Sequence, residues 1–360
     1  MDAGFQSINY KGNTVNGVAG NGSTTSQINF RGTEDLGGGL KANFRVETDW
    51  STVSNYANQG VAASTNYTST ANSINGSAGT FGNGEIRTGL SGNFGAVNVG
   101  AVNYNSLSSY LTGQPFGTAI GSGFRTFYIN DAQGTSSVRA ENAINYVSPV
   151  FSGFNATLYK SNKQTLAKTV AASGTSTTGL ITQPNAFGGL GAYDQVGTQE
   201  IGVNYANGPL AASFSNLKQD FVGVSAPGSS LAAAGTANYT VNTFGANYAV
   251  GDAKVFALYQ TNKTDTNTVN NKAYSVSGTY TIGAVVLMAQ YGELKNVSDV
   301  KTTLAALGAD YNLSKRTALY FRAESINDKA GAVQAAVTPG AIKGTDTTFA
   351  RTAVGIRAAF

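Results

Sequence analysis

The feature that most constrains this chain is a polarity that swings every two residues, in segments of about eight to twelve residues. Clear cases are Gln27-Ile28-Asn29-Phe30-Arg31, Lys41-Ala42-Asn43-Phe44-Arg45-Val46-Glu47, Leu319-Tyr320-Phe321-Arg322-Ala323-Glu324 and Thr352-Ala353-Val354-Gly355-Ile356-Arg357-Ala358. A strand sends successive side chains to opposite faces, so each segment has one apolar and one polar face. A helix would need apolar residues three and four apart, which these segments do not show. The expected fold class is all-β.

The connections between segments alternate in length. Short ones fall near 33–38, 92–95, 149–153, 207–209, 251–252, 282–283 and 314–316. Long polar stretches lie near 11–23, 50–83, 104–138, 164–197, 220–238, 264–272, 292–300 and 328–347. Seven short turns join the interior strands and leave the first and last to close a ring, which gives about sixteen strands. Tight turns on one side and long external loops on the other predict a transmembrane antiparallel β-barrel with its short turns in the periplasm. In lipid every backbone polar group must be paired, so a spanning sheet has to close on itself. Residues 1–360 are therefore expected to form a single barrel domain. A ring of this size is too wide for side chains to fill, so a water-filled lumen follows.

Composition narrows the function. Charged residues make up 12% of the chain, and there is no cysteine and no histidine. That excludes thiol nucleophiles, disulfides, thiolate metal sites and Ser-His-Asp hydrolysis. No enzyme activity, metal or cofactor is called for. Glu34-Asp35 is turn chemistry, and Gly37-Gly38-Gly39 lacks the Lys-Ser/Thr and helix of a phosphate loop. A net charge of +4 gives no reason to expect nucleic acid as a partner. No apolar run is long enough for a transmembrane helix. The opening MDAGFQSINY is no signal peptide and reads as a chain entering partway along a strand, its leader removed or missing.

Alternation assigns faces. Ile28, Phe30, Ala42, Phe44, Val46, Ile86, Leu90, Val354, Ile356 and Phe360 face lipid. Gln27, Asn29, Arg31, Lys41, Asn43, Arg45, Glu47, Glu85, Arg87, Tyr320, Arg322, Glu324, Arg351 and Arg357 face the lumen. A charge aimed at mid-bilayer lipid would cost about 2–4 kcal/mol, which supports the inward set. Arg31, Arg45 and Arg87 lie on neighbouring strands and form a basic ladder on one wall. Aromatic residues gather near the short turns (Phe30, Phe94, Tyr146, Phe151, Phe154, Tyr205, Tyr248, Tyr280, Tyr311 and Phe360), as an interfacial girdle requires.

The run Phe30-Arg31-Gly32-Thr33-Glu34-Asp35-Leu36-Gly37-Gly38-Gly39-Leu40-Lys41-Ala42 resembles the first periplasmic hairpin of the proteobacterial general porins. Leu90-Ser91-Gly92-Asn93-Phe94-Gly95 is similar to their second, and Asn312-Leu313-Ser314-Lys315-Arg316-Thr317 and Val354–Phe360 to their last two strands. The resemblance implies a homotrimeric outer-membrane channel for passive diffusion of ions and small hydrophilic solutes, bounded by lipid and lipopolysaccharide. It implies that terminal Phe360 is read by the barrel-assembly machinery. It also implies that the third long loop, about Asn105–Val138, folds into the lumen and opposes the basic wall with Arg125 and Asp131. Arg31 and Arg139 match wall arginines of anion-selective relatives, so weak anion selectivity is expected. The segment resembling the family's first strand begins at Asp2–Phe5 with fewer residues ahead of it. That strand is therefore expected to be truncated at its N-terminal end, with ladder bonds lost at the seam. The third loop also lacks the Pro-Glu-Phe-Gly-type tip that many members carry.

Two other readings fit the same chain. Phe116, Phe124, Phe127 and Tyr128 in the third loop would suit a channel selective for a sugar or an organic anion. The long Asn/Thr-rich loops would suit a surface adhesin or structural barrel, which conductance measurements distinguish from a pore.

Overall fold

The computed structural model describes residues 1–10, 12–53, 81–124, 126–128, 138–161, 197–220, 238–330 and 348–360. Its strands are β1 (Asp2–Tyr10), β2 (Asn13–Gly20), β3 (Gln27–Gly37), β4 (Leu40–Asp49), β5 (Ile86–Gly92) and β6 (Gly95–Asn103). A helix, α1 (Asn105–Thr112), precedes β7 (Arg139–Val147), β8 (Phe154–Ser161), β9 (Gly197–Asn207), β10 (Leu210–Asp220) and β11 (Asn238–Val250). The chain finishes with β12 (Ala253–Thr264), β13 (Asn270–Ile282), β14 (Val285–Lys295), β15 (Lys301–Asn312), β16 (Thr317–Asp328) and β17 (Thr348–Ala358).

All seventeen strands belong to one sheet, and each registered pair is antiparallel. Beginning at β3, every strand registers with the next as far as β17. β17 then registers with β1, from Asp2↔Arg357 to Tyr10↔Phe349, and β1 with β2. The first and last strands thus meet in a transmembrane β-barrel, in which no registered pair joins β2 to β3 among the described residues. The strand beyond the expected sixteen is β2, which occupies most of the stretch read as a long loop near 11–23. Val15 and Val18 stand three apart, with Gly17 between them and Gly20 beyond, so no two-residue swing marks it. Pairing with β1 over Ala3↔Gly20 to Tyr10↔Asn13 makes it a strand.

The link 21–26 between β2 and β3 is held by Asp2, which is fully buried. The Asp2 carboxylate accepts from the backbone N–H groups of Gly22, Ser23 and Thr24 at 3.2, 2.8 and 2.8 Å. It also accepts from the Tyr320 hydroxyl at 2.7 Å. The Asp2 N–H donates to Ser26 Oγ at 2.8 Å, and the Ser26 carbonyl accepts from Trp50 N–H at 2.7 Å. One aspartate therefore ties β1 and β16 to the link, and the link reaches the end of β4.

The hairpins opposite the loops are tight. The first turns at Gly38-Gly39, later than the expected 33–38, because β3 runs on to Gly37. Gly37, Gly38 and Gly39 have φ of +84°, +59° and +81°, a left-handed run that side-chain-bearing residues resist.

Burial is inverted relative to a water-soluble protein. Phe5, Phe30, Phe44, Val276, Tyr280, Leu307, Tyr311 and Val354 are exposed on the outside. Gln6, Glu47, Asn98, Ser213, Thr243, Gln260, Gln290 and Glu324 are buried on the inside. Such a wall is stable only with lipid against its apolar face, because about 25 cal/mol is lost for each Å² of apolar surface left in water. Strands of 9–13 residues, typical here, are long enough to cross the hydrocarbon layer at a tilt.

Candidate pore lining

The ladder expected from alternation is in register. Arg31 on β3 stands opposite Arg45 on β4, and Arg45 opposite Arg87 on β5. All three point away from lipid-facing Phe30, Phe44 and Ile86 and into the lumen. Arg139, at the start of β7, completes the cluster by reaching Glu47, with Nη2 3.7 Å from Oε1. Arg45 closes tightly on Glu47 and meets Glu85 at 2.7 Å, while Arg87 lies 3.6 Å from Glu85. Asparagines complete the packing: Asn29 accepts from Arg45, Asn43 and Asn98 from Arg87, and Asn103 from Arg139. Gln27 joins Glu47 to a further acid, Asp49, at 3.0 and 2.9 Å. Arg31 makes no ion pair among the described residues, and Lys41 lies nearer the turn, opposite Asp35.

Depth separates the two signs. The side chains of Arg45, Arg87 and Arg139 are 31%, 27% and 22% exposed, against 4% for Glu47 and 8% for Glu85. In each pair the arginine is the more exposed partner. A solute in the lumen therefore meets cations first, with the anions behind them.

A second cluster lies across β15, β16 and β17. Asp310 holds Arg322 at 2.8 Å and Arg357 at 3.0 Å, and Glu324 holds Arg351 at 2.5 Å. Here too the outermost group is an arginine, Arg357, 39% exposed, while Glu324 is covered. Asp310 was not among the residues singled out from sequence. Its signal was an inward position between the outward Ala309 and Tyr311.

The third loop packs against lumen-facing side chains, so it lies inside the barrel. Its first turn is α1, whose Leu107, Tyr110 and Leu111 have helical spacing, a signal overlooked beside the glycines further on. Glu200 on β9, also overlooked, receives the N–H groups of Asn105 and Ser106 at 2.5 and 2.7 Å. Asn247 on β11 donates to the Thr112 carbonyl at 2.8 Å. Further along, Gly121 N–H donates to Glu324 at 2.7 Å, and Gln290 donates to the Ser122 carbonyl at 2.9 Å. The loop turns at Gln114–Gly117, where Gln114 accepts from Phe116 N–H and donates to the Gly117 carbonyl.

Phe116, Phe124, Phe127 and Tyr128 are all buried. They pack into the wall and present no aromatic track to the lumen. Phe124 and Tyr128 stack at 5.1 Å under Tyr110, and Arg322 lies 5.9 Å from the Phe116 ring. Burial holds the Tyr110 and Tyr128 phenols above the usual tyrosine range, so both remain protonated. The expected loop charges Arg125 and Asp131 lie outside the described residues.

The profile of the Gram-negative porin family matches residues 1–331. Outer membrane porin protein 32 of Delftia acidovorans is 30% identical over 324 residues, covering 86% of this chain and 76% of that protein. Among solved structures, an anion-selective porin from Comamonas acidovorans superposes with a TM-score of 0.73 at 27% identity, over 100% of this chain and 97% of that one. The trimer form of OmpT from Vibrio cholerae shares the fold, with a TM-score of 0.59 at 14% identity over 99% and 98% of the two chains.

Proposed function

The chain belongs to the Gram-negative porin family and is an outer-membrane channel; from that premise we propose that it is a weakly anion-selective diffusion pore. The arginines stand nearer the lumen water than the carboxylates that pair with them, and this one observation carries the reading. A permeating ion feels the nearer charge more strongly, because Coulomb energy falls with distance and salt steepens the fall. Arg31, Arg45, Arg87 and Arg139 form the basic wall of the constriction, and the third loop narrows the passage from the β9–β16 side. Arg125 and Asp131 supply charge on that loop. Solutes pass by diffusion, without covalent chemistry. The Delftia relative is an outer membrane porin and the Comamonas protein an anion-selective porin, which supports the assignment.

Residues 1–360 act as one barrel domain, and three barrels assemble into a homotrimer, as in the trimer form of OmpT. Outer-membrane lipid and lipopolysaccharide cover the apolar outer face. The fully exposed ring of Phe360 suits recognition by assembly machinery. A saccharide-selective channel is the less favoured reading, because the third-loop aromatics are turned into the wall.

The test is a planar-bilayer recording of the detergent-extracted protein under a KCl gradient. A reversal potential favouring Cl⁻ is expected; one favouring K⁺ overturns the selectivity, and the lack of any stable open channel overturns the pore.

A further inference from the structure

The wall around α1 is built as a seat. Residue Tyr104, which precedes the helix, offers no side-chain cap, and no acidic residue occupies its first turn. A helix so begun leaves its first N–H groups without acceptors and its positive dipole end uncompensated. The missing cap comes from the barrel: both Glu200 oxygens face this end and take the first two N–H groups, Asn105 and Ser106. The C-terminal carbonyl of Thr112 is taken by Asn247. Wall side chains therefore cap both ends of one helix.

The floor beneath α1 lacks side chains where the helix comes closest. A Cβ built on Gly245 would stand 1.8 Å from the Ser109 carbonyl oxygen, and one on Gly202 would stand 2.2 Å from the Asn105 side chain. Two serines close the contact, Ser109 Oγ lying 2.7 Å from Ser213 Oγ. Bare backbone at these points and a carboxylate aimed at the helix start are independent observations with one consequence.

We propose that Glu200, with Gly202 and Gly245, is the positioning device that holds α1 flat against the wall and so fixes the open width of the channel. Glu200 touches no permeating solute and acts through the helix it caps. The inference rests on the reading of the chain as an open pore, and not on its preference for anions.

The experiment is single-channel recording of folded protein, with folding verified by retention of the heat-sensitive compact band in gel electrophoresis. In Glu200→Gln the side chain keeps one acceptor but turns an NH₂ group toward the second N–H. The single wild-type conductance level is then expected to split into two or more fluctuating levels, with the reversal potential unchanged. The chain has no native cysteine, so Ser109→Cys with Ser213→Cys gives an unambiguous tether where the two hydroxyls already meet at 2.7 Å. Oxidation of that pair in the Glu200→Gln background should restore one level, and reduction should release it again. Gly245→Ala should lift α1 into the lumen and lower the conductance. If Glu200→Gln cannot be obtained folded, Gly245→Ala decides: reduced conductance supports the seat and wild-type conductance overturns it. A single wild-type level in folded Glu200→Gln, or fluctuation that survives the locked tether, overturns the assignment. A shifted reversal potential alone would strike at the charge reading instead.

Discussion

Glu85→Gln isolates the contribution of a buried anion to selectivity. Glu85 lies behind Arg45 and Arg87, 2.7 and 3.6 Å from their guanidinium groups, and its side chain is only 8% exposed. Glutamine keeps one oxygen, for Arg45, and turns an NH₂ group toward the Asn103 N–H, a long contact at 3.3 Å, so the wall changes by one charge and little in shape. An ion passing one Debye length away, about 10 Å at 0.1 M salt, feels roughly 0.4 kcal/mol from that charge in water, or about 0.15 after screening. The sign is opposite for anion and cation, so the two energies separate by about 0.3 kcal/mol, which is roughly a 1.6-fold rise in the anion-to-cation permeability ratio. Focusing by low-dielectric walls pushes this upward. At 1 M salt the Debye length falls to about 3 Å and the rise should vanish. Reversal potentials of wild type and variant, taken at both ionic strengths, check this. An unchanged ratio at low salt, or a rise that persists undiminished at high salt, would refute the reasoning that Glu85 offsets the arginine charge felt in the lumen.

Further outcomes follow from particular contacts. Arg31→Gln removes the ladder arginine without an ion pair among the described residues and should lower the anion-to-cation ratio by a similar factor at 0.1 M salt, as reversal potentials will report. Asp2→Ala strips the acceptor from three backbone N–H groups and the Tyr320 hydroxyl. At about 1–3 kcal/mol for each buried donor left unsatisfied, it should lower the unfolding temperature of the barrel in detergent by many degrees; unchanged melting would remove Asp2 from the closure. Leu307→Arg places a charge on the lipid face, where Leu307 is 61% exposed. Folding into vesicles should weaken by about 2–4 kcal/mol, read from urea titration.

Much of the architecture was legible because lipid enforces a strict rule. A side chain that alternates correctly faces water or acyl chains, so Arg31, Arg45 and Arg87 could be placed on one inner wall from the residues around them. The rule fails where neighbours other than lipid set the conformation. β2 carries too few apolar residues at the right spacing and is a strand only because β1 pairs with it. α1 lies inside the lumen, where neither face meets lipid, and its start depends on Glu200, distant in sequence. Glu200 itself was on the inner face by alternation, between the outward Ile201 and Gln199. What alternation could not reveal was its partner. Pairing of Glu47 and Glu85 with the arginines was likewise open from sequence, because register fixes neighbours but not the reach of long side chains.

The row Arg31, Arg45, Arg87 follows hydrogen-bond direction, at right angles to strands that lean about 35–45° from the barrel axis. With strands about 4.8 Å apart, the row covers about 10 Å and climbs some 6 Å along the axis as it goes round. It is neither a ring nor a vertical rail but a short stretch of spiral stair. An anion handed from one step to the next is turned as it advances, so an elongated solute with charge at one end should cross more readily than a compact one of equal volume bearing the same charge at its centre.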